Sequence, residues 1–184
     1  MIEKGEKIAV GVSGGKDSMA LLCALKALSV FHPSNFSVVA ITLDMRFNNL
    51  DGDFSEIQKI CNEYNVHYEV RRTELFDIIF NVRKESNPCS LCARMRRGIL
   101  HDTAKELGCN KIALGHHLDD AAETFLMNLL SEARIGCFQP VTYLSRKDIT
   151  MIRPLIHLTE NDVELAIKRL NLPVVKSKCP ADEN

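Results

Sequence analysis

The apolar residues of this chain fall into short unbroken runs separated by longer amphipathic stretches. Ile8-Ala9-Val10-Gly11-Val12 has four apolar residues and a glycine with no polar face, which predicts a strand covered on both sides. Phe36 to Leu43 is a second such run, rich in β-branched residues and ended by Asp44, and Lys111 to Leu114 is another. His67 to Arg71 alternates like a shorter strand. Thr150-Met151-Ile152 reads as a last one, inside a segment from Gln139 to Leu155 that looks irregular or hairpin-forming. Between these runs the period lengthens to that of helices. Helices are predicted over Ser18 to Val30, after Asp53 to about Tyr64, over Glu74 to Val82, and from Cys89 through Leu107, where Gly108 stops the last of these. Two more run from Ala121 to about Leu130 and from Thr159 to about Leu170, the second opened by a Thr159–Asp162 capping pattern. Lys84-Glu85-Ser86-Asn87-Pro88 reads as a loop and Pro173 to Asn184 as a tail.

Strands alternating with helices predict an α/β fold: a doubly wound parallel sheet of about five strands, with right-handed crossovers and helices on both faces. No repeat, low-complexity segment or long linker divides the chain, so residues 1–184 read as a single domain. Ligands of such sheets bind beyond the carboxyl ends of the strands. That rule brings three distant features to one rim: Ser13 to Ser18, Leu43-Asp44, and Gly115-His116-His117-Leu118-Asp119-Asp120.

Ser13-Gly14-Gly15-Lys16-Asp17-Ser18 has the composition of a phosphate cradle. Glycines let the backbone turn its N–H groups towards an anion, and the helix that follows points its positive end at the same spot. Lys16 adds a mobile cation, and Asp17 can hold a magnesium ion that bridges phosphate oxygens. The spacing is neither G-x-x-x-x-G-K-[ST] nor G-x-G-x-x-G. A plain glycine-rich turn does not need a lysine, an acid and two hydroxyls together. The hexapeptide resembles the PP-loop of ATP pyrophosphatases, which implies cleavage of ATP between its α and β phosphates and adenylation of a substrate. On that resemblance Ser13, Gly14, Gly15, Lys16, Asp17 and Ser18 hold ATP, and the rim adds Leu43, Gly115 and His116. Lys16, Asp17, Asp119 and Asp120 are the candidate catalytic residues. One of Asp119 and Asp120 is also expected to cap the following helix. For His116 and His117, packing or hydrogen bonding of the loop stands beside a nucleotide contact.

Composition narrows the setting. The 184 residues are 46% hydrophobic and 26% charged, ordinary values for a globular chain with one full core. No apolar run approaches the roughly 18 residues of a membrane span, and Met1 to Lys7 carry no apolar signal region, so a cytoplasmic location without a membrane partner is expected. A net charge of -1 gives no global attraction to nucleic acid, which leaves RNA binding to a local patch.

Seven cysteines without a signal region favour metal or catalytic use over disulfides. Cys23 and Cys61 fall in helical patterns and read as core residues. Cys109 and Cys137 stand singly at element boundaries and receive no role. That leaves Cys89 and Cys92, in a C-x-x-C, and Cys179 in the tail. The pair alone fits half a zinc site, a redox pair or two structural cysteines. Three thiolates would leave one iron of a [4Fe–4S] cluster without a protein ligand, and spacing alone ranks this below zinc.

SGGKDS, CSLCARMRRGIL, KIALGHHLDDAAETFLMNLL and IRPL occur here in the order found in the tRNA 2-thiocytidine synthetase family, and the resemblance runs from about Lys7 to Cys179. It implies an adenine nucleotide alpha-hydrolase-like PP-loop fold. It also implies ATP- and Mg2+-dependent adenylation of a cytidine in the tRNA anticodon loop, and replacement of its 2-oxygen by sulfur carried on a [4Fe–4S] cluster. Cys89 and Cys92 match the family's C-x-x-C, and Cys179 stands for the third ligand. The partners implied are tRNA, a sulfur donor such as a cysteine desulfurase or free sulfide, and a second copy of the chain. Arg94, Arg96 and Arg97, with Arg71 and Arg72, offer a local patch for RNA phosphate, although a solvated helix face is the commoner meaning of such a run. Family members are usually longer at both ends, so this chain reads as a compact or shortened form. Thiolation or desulfuration of a small molecule, and a cluster-free C–N ligase, therefore remain as alternatives. A non-catalytic ATP-binding module is disfavoured by Asp17 and the GHHLDD stretch.

Overall fold

The computed structural model describes residues 1–47, 50–83, 88–175 and Cys179. The loop expected over Lys84 to Asn87 and the tail beyond Val175, Cys179 apart, lie outside the described residues. The elements in chain order are β1 (Lys7–Gly11), α1 (Lys16–Phe31), β2 (Ser37–Asp44), α2 (Ser55–Glu63), β3 (His67–Arg72), α3 (Pro88–Glu106), β4 (Lys111–Ala113), α4 (Leu118–Glu132), β5 (Val141–Leu144), β6 (Ile149–Ile152) and α5 (Glu160–Leu170). The strands form one sheet in the order β3-β2-β1-β4-β6-β5. Pairing is parallel from β3 through β6, with Val10 in register with Ala40 on one side and Ala113 on the other. β5 closes the edge as an antiparallel hairpin partner of β6.

The sheet thus has six strands where the sequence predicts about five. The added strand, β5, alternates between exposed and half-buried positions and lacks the continuous apolar run that marks the buried strands. The helix expected over Glu74 to Val82 is a π-helix, Asp77–Arg83. Its wider turn keeps Ile79 fully buried while Phe76 stacks on Phe80 with ring centroids 4.9 Å apart.

Alternation along the central strands builds a core on each face. Ile8, Val10, Val12, Val38, Ala40 and Ile152 point towards Met19 and Leu22 of α1, Ile57 of α2 and Val163 of α5. Ala9, Val39, Ile41, Ile112 and Ile149 point the other way, towards Leu100 and Ala104 of α3. Each fully buried Ile or Leu contributes about 1.5–3 kcal/mol, so these two layers hold the sheet and fix its carboxyl rim. Cys61 belongs to the first layer and Cys23 is buried on α1, and burial pushes both thiols up to about 11. Cys109 is buried in the second. A third, smaller apolar wall of Met45, Leu75, Ile79 and Leu91 lies beside α3.

α4 differs from the other helices in having no buried residue. Leu126, Met127 and Leu130, with Ile135 just beyond, present apolar side chains to solvent. No helix among the described residues is long and apolar enough to cross a membrane.

Candidate active site

Four neighbouring strands deliver their carboxyl ends to one rim, so the segments that follow β1, β2, β4 and β6 meet there. The loop after β1 is knitted by its two hydroxyls. The Ser13 N–H donates to Ser18 Oγ at 3.2 Å, Gly15 N–H donates to Ser13 Oγ at 3.3 Å, and Ser18 Oγ donates to Gly15 O at 2.9 Å. Gly14 has φ +88°, a conformation that glycine adopts without strain. α1 begins at Gly15 with no side-chain cap. In α5, by contrast, Thr159 Oγ1 accepts the Asp162 N–H and Asp162 accepts the Thr159 N–H. The first turn of α1 is therefore left for a ligand, with its dipole directed into the loop.

The segment after β4 closes against this turn. A Cβ added to Gly115 would lie 2.9 Å from the carbonyl carbon of Asp17 and 3.0 Å from its oxygen, so only glycine allows the approach. One residue on, His116 is half-buried and packs on Phe138, ring centroids 5.1 Å apart, while the Arg153 guanidinium lies 4.6 Å from the Phe138 centroid on the other contact. Burial pushes the His116 imidazole below its ordinary range, and Arg153 and Arg97 push it the same way against Asp120.

Charged side chains from three helix starts converge at the loop. Lys16 Nζ lies 2.7 Å from Glu160 Oε1 and 3.2 Å from Asp17 Oδ1. Buried His117 places Nε2 3.8 Å from Asp17 Oδ1 and 3.5 Å from Asp120 Oδ2, and Nδ1 3.5 Å from Asp119 Oδ2. Asp120 takes part in capping α4, as expected of one of the two acids, but from the third helical position and not as the N-cap residue. The helix starts three residues earlier than the apolar pattern suggests, with His117 as its N-cap, and Asp120 accepts the His117 N–H at 2.8 Å from inside the first turn. Asp119 accepts the Glu160 N–H at 2.6 Å, which ties α4 to α5. Asp17 Oδ1 is buried, with the Lys16 ammonium as its ion-pair partner and no further hydrogen bond. A buried carboxylate oxygen with spare acceptor capacity beside a phosphate cradle suits a magnesium ion that takes most of its ligands from phosphate and water.

Leu43 is not at the loop. Its side chain packs against the core under α3, and Asp44, one residue further, ends the strand by accepting the N–H groups of Arg46 at 3.0 Å and Gly52 at 3.1 Å.

Cys89 and Cys92 sit in the first turns of α3, the former exposed and the latter half-buried against the third apolar wall. Burial pushes the Cys92 thiol up, Arg96 opposes this by charge and a hydrogen bond, and Cys179 and Cys89 are near enough to add their own upward push. Among the described residues no three His, Cys, Asp or Glu side chains converge tightly enough for a single metal ion. A cubane cluster takes each thiolate on a different iron and needs no such convergence. Three neighbouring thiols, one against an apolar wall and beside a guanidinium, fit a [4Fe–4S] cluster better than a zinc ion. Arg94, Arg96 and Arg97 are exposed on α3. Arg71 and Arg72 are instead engaged in ion pairs, with Glu106 and Asp51.

Four residues of the site are missed by sequence reasoning. Glu160 and Val175 carry no local signal. Phe138 lies in an irregular connection, and Arg153 was visible only as part of IRPL. Arg153 is buried and donates to Gln139 O, which clamps the connection that carries Phe138. The Val175 N–H donates to Gly14 O at 2.9 Å, so the segment after α5 lies on the loop.

A doubly wound sheet with an anion cradle after its first strand defines the class, and the PP-loop domain family matches residues 2–183. The chain belongs to the family of the tRNA-cytidine(32) 2-sulfurtransferases. It is 38% identical over 183 residues to the protein of that name from Syntrophotalea carbinolica, covering 99% of this chain and 70% of the relative. It is 39% identical over 181 residues to the one from Geobacter metallireducens, covering 98% and 70%. Among solved structures it is similar to the U34-tRNA thiolase NcsA from Methanococcus maripaludis with its [4Fe–4S] cluster, at 28% identity and a TM-score of 0.75, covering 97% of this chain and 60% of that one. A phosphoadenylyl-sulfate reductase from Candida auris, at 13% identity and a TM-score of 0.55 over 91% of this chain and 74% of that one, shares the fold.

Proposed function

We propose that this chain is an ATP-dependent tRNA sulfurtransferase that converts a cytidine C2 oxygen into a leaving group and replaces it with sulfur. The observation that carries the reading is the grouping of Cys89, Cys92 and Cys179, for which a C–N ligase has no use. The curated relatives are named for cytidine 32 of tRNA, and we take that base as the substrate.

Adenylation requires the triphosphate to be held while the substrate oxygen attacks its α phosphate. The backbone of Ser13 to Ser18 and the first turn of α1 bind the leaving pyrophosphate, and Lys16 neutralises charge that builds on it. Asp17 would hold magnesium through its buried Oδ1. His117, with Asp17, Asp119 and Asp120 around it, orients the two acidic side chains at the start of α4. Gly115 keeps the nucleotide rim against α1. Cys89, Cys92 and Cys179 would hold a [4Fe–4S] cluster, which would supply the sulfur that replaces the oxygen, and the oxygen leaves with AMP. The apolar wall behind Cys92 keeps water from that side of the site. Arg94, Arg96 and Arg97 bind RNA phosphate. The residues form a single PP-loop domain whose tail brings the third thiol, and the sulfur donor is free sulfide or a cysteine desulfurase. A second copy of the chain covers the apolar face of α4; sedimentation showing only monomer at micromolar concentration would overturn this last point.

Anaerobic purification, followed by an absorbance spectrum and iron and sulfide counts, tests the assignment together with nucleoside mass analysis after incubation with tRNA, ATP, magnesium and sulfide. We expect a coloured protein with about four irons per chain and a thiolated cytidine. A colourless protein holding one zinc refutes sulfur transfer. A loaded cluster with no thiolated nucleoside moves the substrate to a small molecule.

A further inference from the structure

Lys16 is already paired in the free protein. Its ammonium lies closer to Glu160, at 2.7 Å, than to its neighbour Asp17, at 3.2 Å. Glu160 is the first residue of α5, but the start of that helix is satisfied without its side chain, because Thr159 and Asp162 complete the capping box. Its backbone is fixed by the bond to Asp119 at 2.6 Å. The carboxylate is therefore placed by α4 and α5 together and reaches across to the loop of α1. Burial pushes the Lys16 ammonium down, and the two carboxylates more than offset this, leaving it above its ordinary value. Lys16 lowers Glu160 in turn.

We propose that Glu160 is a positioning residue for nucleotide binding: it holds the Lys16 ammonium at the loop in the free protein and yields it to the phosphates of ATP. This rests on the ATP reading of the loop given above. An ammonium has three donors on one small charge, and a polyphosphate settling at the start of α1 must share that charge with Glu160 or displace it. The carboxylate thus orients Lys16 and also repels the anion Lys16 serves. Removing the charge while keeping the size should tighten binding of the anion and loosen control of the ammonium.

The test is isothermal titration of wild type, Glu160→Gln and Asp162→Asn with magnesium pyrophosphate, together with KM and kcat for ATP in the tRNA-dependent reaction. Asp162 acts on the same helix start without touching Lys16, so its variant reports any effect that passes through the stability of α5. The expected result is pyrophosphate binding about 3- to 5-fold tighter in Glu160→Gln, the range an exposed ion pair can return, with unchanged affinity in Asp162→Asn. KM for ATP should fall together with kcat in Glu160→Gln. Affinity in Glu160→Gln that is equal to or weaker than wild type, or an equal gain in Asp162→Asn, overturns the proposal. If wild type binds neither pyrophosphate nor ATP, the loop reading itself is overturned and this proposal with it.

Discussion

Gly115 offers a steric test of how the rim is assembled. A methyl group there would sit 2.9 Å from the Asp17 carbonyl carbon, 3.0 Å from its oxygen and 3.2 Å from its Cβ. Two of these three atoms are backbone in the first turn of α1, and a side-chain rotation cannot clear them. The turn must retreat by several tenths of an ångström, and forced overpacking of this kind costs about 1–3 kcal/mol. At this chain size about 2–4 °C of Tm accompanies each kcal/mol, so Gly115→Ala should melt about 2–12 °C lower. The same retreat moves the phosphate cradle and should weaken pyrophosphate binding. Gly98→Ala is the matched control. Gly98 lies inside α3, where an added Cβ meets nothing within 4 Å, and the helix should gain about 0.5–1 kcal/mol from the exchange. Urea unfolding and pyrophosphate titration of both variants decide the matter. Gly115→Ala with wild-type stability and wild-type affinity would refute the close approach.

Three further outcomes are expected. Lys16→Ala removes a charge-assisted contact worth about 1.5–3 kcal/mol and should weaken magnesium–ATP binding by about 10- to 150-fold in calorimetry; an unchanged Kd would refute its role. Cys92→Ser should purify anaerobically with iron at background while keeping its urea midpoint, and retained iron would place the cluster elsewhere. His116 is held below its ordinary pKa first by burial and then by Arg153. Its contribution to stability is thus present above pH 6.5 and is lost as pH falls from there through its folded value. Arg153→Met should move the His116 titration upward in NMR, and no movement would remove Arg153 from its surroundings.

The loop after β1 was legible because its chemistry is local: the hydroxyls that knit it and the lysine that serves it lie within six consecutive residues. The buried strands were legible because parallel pairing covers both faces and leaves an unbroken apolar run. β5 was not, since an exposed edge strand needs no such run. The start of α4 was misread for a related reason. Acids before an apolar stretch look like caps, but here the acid at the third helical position takes the N–H of a histidine that no sequence rule favours as a cap. Glu160 could not be found at all, because its partner Lys16 is supplied by the fold from the far end of the chain. Leu43 shows the converse: its place beside Asp44 suggested the rim, and the alternation of the strand turned its side chain into the core.

The bond from Val175 to Gly14 sets a tether length. Cys179 follows Val175 by four residues, and such a segment extends at most about 14 Å. The third thiol is therefore confined near the pair on α3 at an effective concentration on the millimolar scale typical of short tethers. In the proposed cluster site it would be the last arm of a chelate whose fixed end is a carbonyl of the nucleotide loop. Breaking the Gly14 contact would lengthen the tether and dilute the thiol, which would couple the proposed grip on iron to the loop proposed to hold ATP.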